Sequence, residues 1–289
     1  MVKRLISSFA GVVVALVVLF LSGTIIFNIS ISIVCIILTY ELLKAKDCLK
    51  YTFLAGVCYT FSAVMPFMTQ NMSMGWRMSF SLFCVFLLFC GMIRVHTVVT
   101  IDNLCYMIAT TMLATFSMSC LVTLLRSDDF HGVYYVILCL AGAWMGDSGA
   151  FFIGRKFGKH KLAPDISPKK TVEGAVAGVV TVAVVFVGFS FAYQIFCGYV
   201  YDVFFTVNLL LVGIMGIACG VLGIIGDLSA SVIKRSTGIK DFGNIMPGHG
   251  GLMDRFDSVL FVAPFMAMII QMTSGVVPES NMPKLLFFL

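Results

Sequence analysis

Carboxylates, lysines, arginines and glycines crowd into the last third of this 289-residue sequence. Asp227, Ser231 and Lys234 fall at i, i+4 and i+7. A continuing helix would therefore present a carboxylate, a hydroxyl and an ammonium in a column on one face. Asp254 and Asp257 stand three apart at the start of a long apolar run, and on one helix they too would share a face. Carboxylates of this kind are donors for Mg2+, which takes one or two of them and fills its shell with water and substrate phosphate oxygens. Lys234, Arg235, Lys240 and Arg255 are spaced to neutralise those phosphates. Gly248, Gly250 and Gly251 would let backbone N–H groups come close to an anion at a helix start. His249 reads equally well as a loop hydrogen-bonder or as a phosphate contact.

Upstream charges are of two kinds. Asp147 lies inside an apolar run, seven residues before Gly154, which puts it about 10 Å below the end of its helix at 1.5 Å per residue. An intramembrane carboxylate is costly and points to function. Metal ligand, lysine partner and packing feature are all open for it, with a place in or beside the site favoured. In Ser-Pro-Lys-Lys-Thr-Val-Glu, residues 167–173, Thr171 is a candidate helix cap and Glu173 sits near the positive helix end. Lys170 either serves the site or only snorkels to the interface. Arg155, Lys156, Lys159 and Lys161 serve the site or simply mark a membrane boundary.

These residues need a scaffold, and the composition names it. The chain is 60% hydrophobic and 11% charged, with a mean hydropathy of +1.03. Ordinary soluble domains are roughly 45–50% apolar and about 25% charged. About nine apolar runs recur, near 5–23, 25–43, 52–68, 77–95, 104–125, 133–153, 173–197, 204–226 and 257–275. Their length suits a hydrocarbon core about 30 Å thick. The expected fold is all-α and polytopic, with residues 1–130 forming N-terminal transmembrane helices. Residues 131–289 form a transmembrane catalytic region with cytoplasmic loops at 154–172 and 227–256. The basic, then apolar, start reads as an uncleaved first span rather than a secretory signal.

Charge placement sets the orientation. With the N-terminus cytoplasmic and the spans alternating, only Arg77, Arg126 and Lys284 of the 19 basic residues face outward. That is a strong positive-inside bias. The net charge of +5 is thus mostly topology, and no nucleic-acid partner follows from it. The ten cysteines contain no Cys-x-x-Cys pair, so they read as small apolar residues rather than a metal or disulfide framework.

The stretch from Ser231 to Asp257 resembles the signature of the phosphatidate cytidylyltransferases, or CDP-diacylglycerol synthases. It carries Ser231, Lys234-Arg235, Lys240-Asp241, His249-Gly250-Gly251 and Asp254-Arg255-Phe256-Asp257 in the family's order and spacing. Met246 departs from the usual Leu, Ile or Phe. Residues 140–174 resemble the family's second block, with Asp147 in a span and Ser-Pro-x-Lys-Thr-x-Glu-Gly at 167–174. The resemblance is close over about residues 140–260 and holds only in hydropathy before that. It implies transfer of CMP from CTP to phosphatidic acid, giving CDP-diacylglycerol and pyrophosphate in phospholipid biosynthesis, with Mg2+ required. It also implies a second cation, with Asp257 helping to hold it.

The expected catalytic set is then Asp227, Asp254, Asp257 and Lys234, the three aspartates also being the metal ligands. Ser231, Arg235, Lys240, Asp241, His249, Gly250, Gly251, Arg255, Lys170 and Asp147 form the substrate-binding set. The expected partners are CTP, phosphatidic acid and the lipid bilayer, and the sequence leaves room for a homodimer. The expected location is the bacterial cytoplasmic (inner) membrane, with the site on its cytoplasmic side. Two other readings fit less well. The Asp-Gly, Ala-Arg and spaced-Asp pattern of CDP-alcohol phosphatidyltransferases is missing, and so are the matching halves of a transporter with coupling-ion sites at Asp147 and Asp227.

Overall fold

A computed structural model describes residues 11, 13–128, 131–201, 207–245 and 250–273. Helix dominates, because continuous apolar runs in lipid satisfy their backbone groups only within a helix or a closed barrel. The long helices are α1 (Ile26–Ala45), α2 (Thr52–Asn71), α3 (Met74–Arg94), α4 (Ile101–Arg126), α5 (Gly132–Phe157), α6 (Val172–Tyr201) and α7 (Leu209–Ser236). All seven are long and apolar enough to cross a membrane. They match seven of the nine expected runs. Of the first run, residues 13–20 are helical and most of the rest lies outside the described residues. The last is a shorter helix, α9 (Val259–Thr273), preceded by the one-turn α8 (Met253–Phe256).

Three local features differ from the sequence expectation. The 154–172 loop is largely ordered: α5 runs on to Phe157, and an antiparallel hairpin pairs β1 (Lys161–Ala163) with β2 (Ser167–Thr171). Arg155 and Lys156 extend α5 because cations suit a helix C-terminus. Asp147 is therefore ten residues from the helix end, about 15 Å along the axis. The third difference is a break at Asp257–Ser258, so Asp254 and Asp257 do not lie on one continuous helix. Ser258 N donates to Asp257 Oδ1 at 2.7 Å, a local side-chain bond that competes with helix formation.

The chain forms two compact units. The first comprises residues 1–133 with 233–256, the second residues 134–232 with 257–289. In the first, α1, α2 and α4 pack on one another and α3 packs on α2 and α4. Its apolar core includes Leu43, Leu54, Met65, Leu104 and Met107. Through it runs a buried polar seam. Thr39 Oγ1 and Ser62 Oγ lie 2.7 Å apart, and Ser62 Oγ and Thr115 Oγ1 3.0 Å apart. Around Pro66, which interrupts the α2 hydrogen bonding, Asn28 and Ser32 of α1 donate to the carbonyls of Pro66 and Ala63. Such bonds tie helices together where lipid offers no competing partner.

The second unit is built instead on close backbone approach. A Cβ on Gly216 or Gly220 of α7 would lie 2.8 or 2.9 Å from the Cα of Ala183 or Val179 on α6. A Cβ on Gly178 of α6 would lie 2.8 Å from the Gly146 carbonyl on α5. Small residues at these crossings let the helices meet backbone to backbone. Leu82, Phe152, Val184 and Leu210 are among many large apolar side chains left exposed, as a lipid-facing surface requires.

Candidate active site

In the first unit the site grows from the end of α7. Gly238 adopts φ +72°, while Ile239 N donates to Lys234 O and Gly238 N to Arg235 O. This is a Schellman stop, for which glycine is the ordinary residue. It ends the helix just beyond Lys234 and turns the chain into the loop that leads to α8. Lys234 Nζ donates to Asp254 Oδ1 at 2.7 Å and lies 5.5 Å from the Phe242 ring centroid. Asp254 Oδ2 accepts from Phe242 N and from Gly251 N, each at 3.0 Å. One carboxylate thus joins the helix end to both flanks of the loop with three charge-assisted bonds. The side chains of Lys234 and Asp254 are only 14% and 8% exposed, so pairing is what makes their burial tolerable. Gly250, at φ +86°, leaves room for this carboxylate: a Cβ there would stand 3.1 Å from Asp254 Oδ2.

A second carboxylate reaches the same loop from α1. Glu41 is fully buried. Its two oxygens accept separately from Leu252 N at 3.0 Å and Met253 N at 2.7 Å.

In the second unit the hairpin and α7 bring together a different pair. Lys170, on β2, forms an ion pair with Asp227, the two side chains being 26% and 20% exposed. The hairpin is pinned to the start of α6. Glu173 accepts from Lys159 N at 3.1 Å and His160 N at 3.2 Å, and meets His160 Nδ1 at 2.6 Å. Thr171 Oγ1 accepts from Gly174 N at 3.2 Å, the cap its position in the sequence predicts. Asp257, buried, packs its backbone on the turn of α7 before Asp227: a Cβ on Gly226 would lie 2.6 Å from the Asp257 carbonyl. Ser258 Oγ donates to Gly223 O at 3.1 Å, locking that contact.

Among the described residues of either unit, no three His, Cys, Asp or Glu side chains converge as a metal-ligating group. Asp254 and Asp227 each hold a lysine ammonium instead.

A model of the cytidylyltransferase family matches residues 2–273. The chain belongs to the cytidylyltransferase family. The phosphatidate cytidylyltransferase of Bacillus subtilis is 34% identical over 275 residues, covering 91% of this chain and 96% of that protein. The one from Staphylococcus haemolyticus is 40% identical over 148 residues, 51% of this chain and 52% of the relative. The one from Haemophilus influenzae is 37% identical over 149 residues, 48% and 46% of the two chains.

The other residues expected of a cytidylyltransferase site differ in burial. Ser231 is buried on α7. Arg235, Lys240, Asp241 and Arg255 are exposed, as is Asp147 on α5. Asp241 stands beside Gly250, its Cβ 3.6 Å from where a Gly250 Cβ would lie. His249, Gly248 and Met246 lie outside the described residues. Sequence reasoning passed over Glu41, although a carboxylate inside the second apolar run was the signal available.

Proposed function

We infer that this chain joins CTP and phosphatidic acid to give CDP-diacylglycerol and pyrophosphate. The observation that carries this reading is the near full-length match to the Bacillus subtilis phosphatidate cytidylyltransferase. A phosphate oxygen of phosphatidic acid attacks the α-phosphorus of CTP. The bond from that phosphorus to the bridging oxygen breaks, and pyrophosphate leaves. Displacement of this kind depends on positioning and charge neutralisation rather than a covalent protein nucleophile.

The roles of the residues follow from their chemistry. Asp227 and Asp254 are the proposed Mg2+ ligands, with Asp257 supporting them or a second cation. Their hard oxygen donors and their hold on lysine ammonium groups fit a cation of that kind. The chemistry Mg2+ supplies when bound is neutralisation of the reacting and leaving phosphate oxygens. Lys234 and Lys170 hold the carboxylates in place before substrate arrives and then contribute positive charge to the phosphates. Arg235, Lys240 and Arg255 add to that field from exposed positions, with Ser231, Asp241, His249, Gly250, Gly251 and Asp147 as further substrate-binding residues. The site faces the cytoplasm of a bacterial inner membrane, where the nucleotide arrives from water and the lipid from the inner leaflet. A homodimer is compatible with this reading, since each copy carries the full residue set.

The purified full-length chain should release pyrophosphate from CTP only when phosphatidic acid and Mg2+ are both present. Pyrophosphate release that ignores phosphatidic acid, or none at all, would overturn the assignment.

A further inference from the structure

The motif residues expected of the site all lie from residue 147 onward, yet the loop that ends at Asp254 is held by a residue of the first described long helix. We propose that Glu41 is a positioning residue for Asp254. The inference rests on the reading of Asp254 as a residue of the catalytic site.

Glu41 meets its loop in a built fit. Its two oxygens take the N–H groups of Leu252 and Met253, the two residues just before Asp254. These are also donors at the entrance to α8 with no partner inside a helix. The loop closes over the carboxylate at two glycines. A Cβ on Gly243 would lie 2.4 Å from Glu41 Oε1, and one on Gly251 would lie 2.7 Å from each carboxylate oxygen. Both flanks of the loop therefore touch Glu41, and the same two flanks donate to Asp254 through Phe242 N and Gly251 N. Two carboxylates from opposite ends of the sequence organise one loop between them.

The helix that presents Glu41 is itself fixed on both sides of that residue. Two positions earlier, Thr39 enters the buried hydroxyl seam with Ser62 and Thr115. One position later, the Leu42 carbonyl accepts from Tyr106 Oη at 2.9 Å. These bonds run to α2 and α4, so the N-terminal bundle supplies a rigid support for the loop. Precise placement of a reacting constellation needs such a supporting shell.

Glu41→Gln is the discriminating change. It keeps size and shape but leaves one acceptor oxygen for two N–H donors and turns an NH2 toward the other. Gly243→Ala keeps the charge and displaces the carboxylate sterically. Glu41→Gln, Gly243→Ala, the double variant and Asp254→Asn would be compared with wild type as full-length protein. CDP-diacylglycerol formation would be measured at matched membrane yield. Amide hydrogen exchange over residues 241–256 would be followed without added divalent cation. Glu41→Gln should lower kcat at least about tenfold with CTP KM changed less than about threefold. Exchange in 241–256 should speed up while α2 and α4 keep their protection. The double variant should lose no more than the worse single variant, because both changes break one contact.

Unchanged exchange and unchanged kcat in Glu41→Gln, with Asp254→Asn inactive, would overturn this inference alone. An active Asp254→Asn would instead remove the reading on which it rests. If Glu41→Gln fails to accumulate, Gly243→Ala decides by the same kcat and exchange criteria.

Discussion

Two of the lysine–aspartate pairs among the described residues, Lys234–Asp254 in the first unit and Lys170–Asp227 in the second, are built differently. Lys234–Asp254 is nearly buried, and Asp254 also anchors two backbone N–H groups of its loop. Lys170–Asp227 is more open, with a lysine supplied by a short hairpin and an aspartate by the middle of a long helix. The same two side chains thus do different work. Asp254 is part of the framework of its loop as well as a proposed ligand, whereas the more exposed Lys170–Asp227 pair can exchange partners at lower cost. The comparison teaches that loss of activity alone will not distinguish the pairs, while loss of stability will.

The largest effect should come from the aspartates. Asp254→Asn and Asp227→Asn should each reduce CDP-diacylglycerol formation by about two to three orders of magnitude. That is several kcal/mol of transition-state stabilisation, at 1.36 kcal/mol per tenfold. Thermal unfolding in detergent should separate them: the midpoint should fall for Asp254→Asn and hold for Asp227→Asn. Equal midpoints would erase the contrast between framework and open pair.

The lysines come next. Removing Lys234 strands a mostly buried carboxylate, and breaking a buried pair costs about 3–5 kcal/mol. Lys170→Ala should cost about 1 kcal/mol or less, as expected of a more solvated pair. Denaturant or thermal titration of the two variants would read the difference, and a reversed order would contradict the burial argument. Both should also raise the KM for CTP or phosphatidic acid.

Asp257→Asn should be intermediate in activity. The asparagine keeps an oxygen that can accept from Ser258 N, as Asp257 does at 2.7 Å, but it loses the charge. A rate equal to that of Asp227→Asn would make Asp257 a full ligand rather than a support. The smallest effect belongs to Gly238→Ala. Its φ of +72° with open space around it should cost about 1 kcal/mol of stability, with turnover nearly unchanged.

Much of this was legible before any coordinates. Continuous apolar runs located the long helices, most ends within a few residues, because a bilayer requires both length and unbroken backbone bonding. Helix α7 runs ten residues past its expected end at 226, so the first part of the expected 227–256 loop is helix. Asp227 and Lys234 could be put on one helix face because α7 continues to Ser236. The hairpin was not legible, since Lys161–Ala163 and Ser167–Thr171 show no alternating pattern and owe their place to the Glu173–His160 contacts. The break before α9 was hidden in a side-chain bond between neighbours, Asp257 and Ser258. Glu41 was hidden by distance, its partners lying 211 and 212 residues along the chain. A spacing rule cannot reach that far.

The most direct test of the account is an Mg2+ titration of CDP-diacylglycerol formation from CTP and phosphatidic acid. Wild type, Asp227→Asn and Asp254→Asn would be compared at equal amounts of folded protein. Wild type should be inactive without Mg2+ and rise to saturation, while both variants stay near baseline across the whole range. Near-wild-type rates in both variants at ordinary Mg2+ would contradict the assignment of these aspartates to the metal and phosphate chemistry.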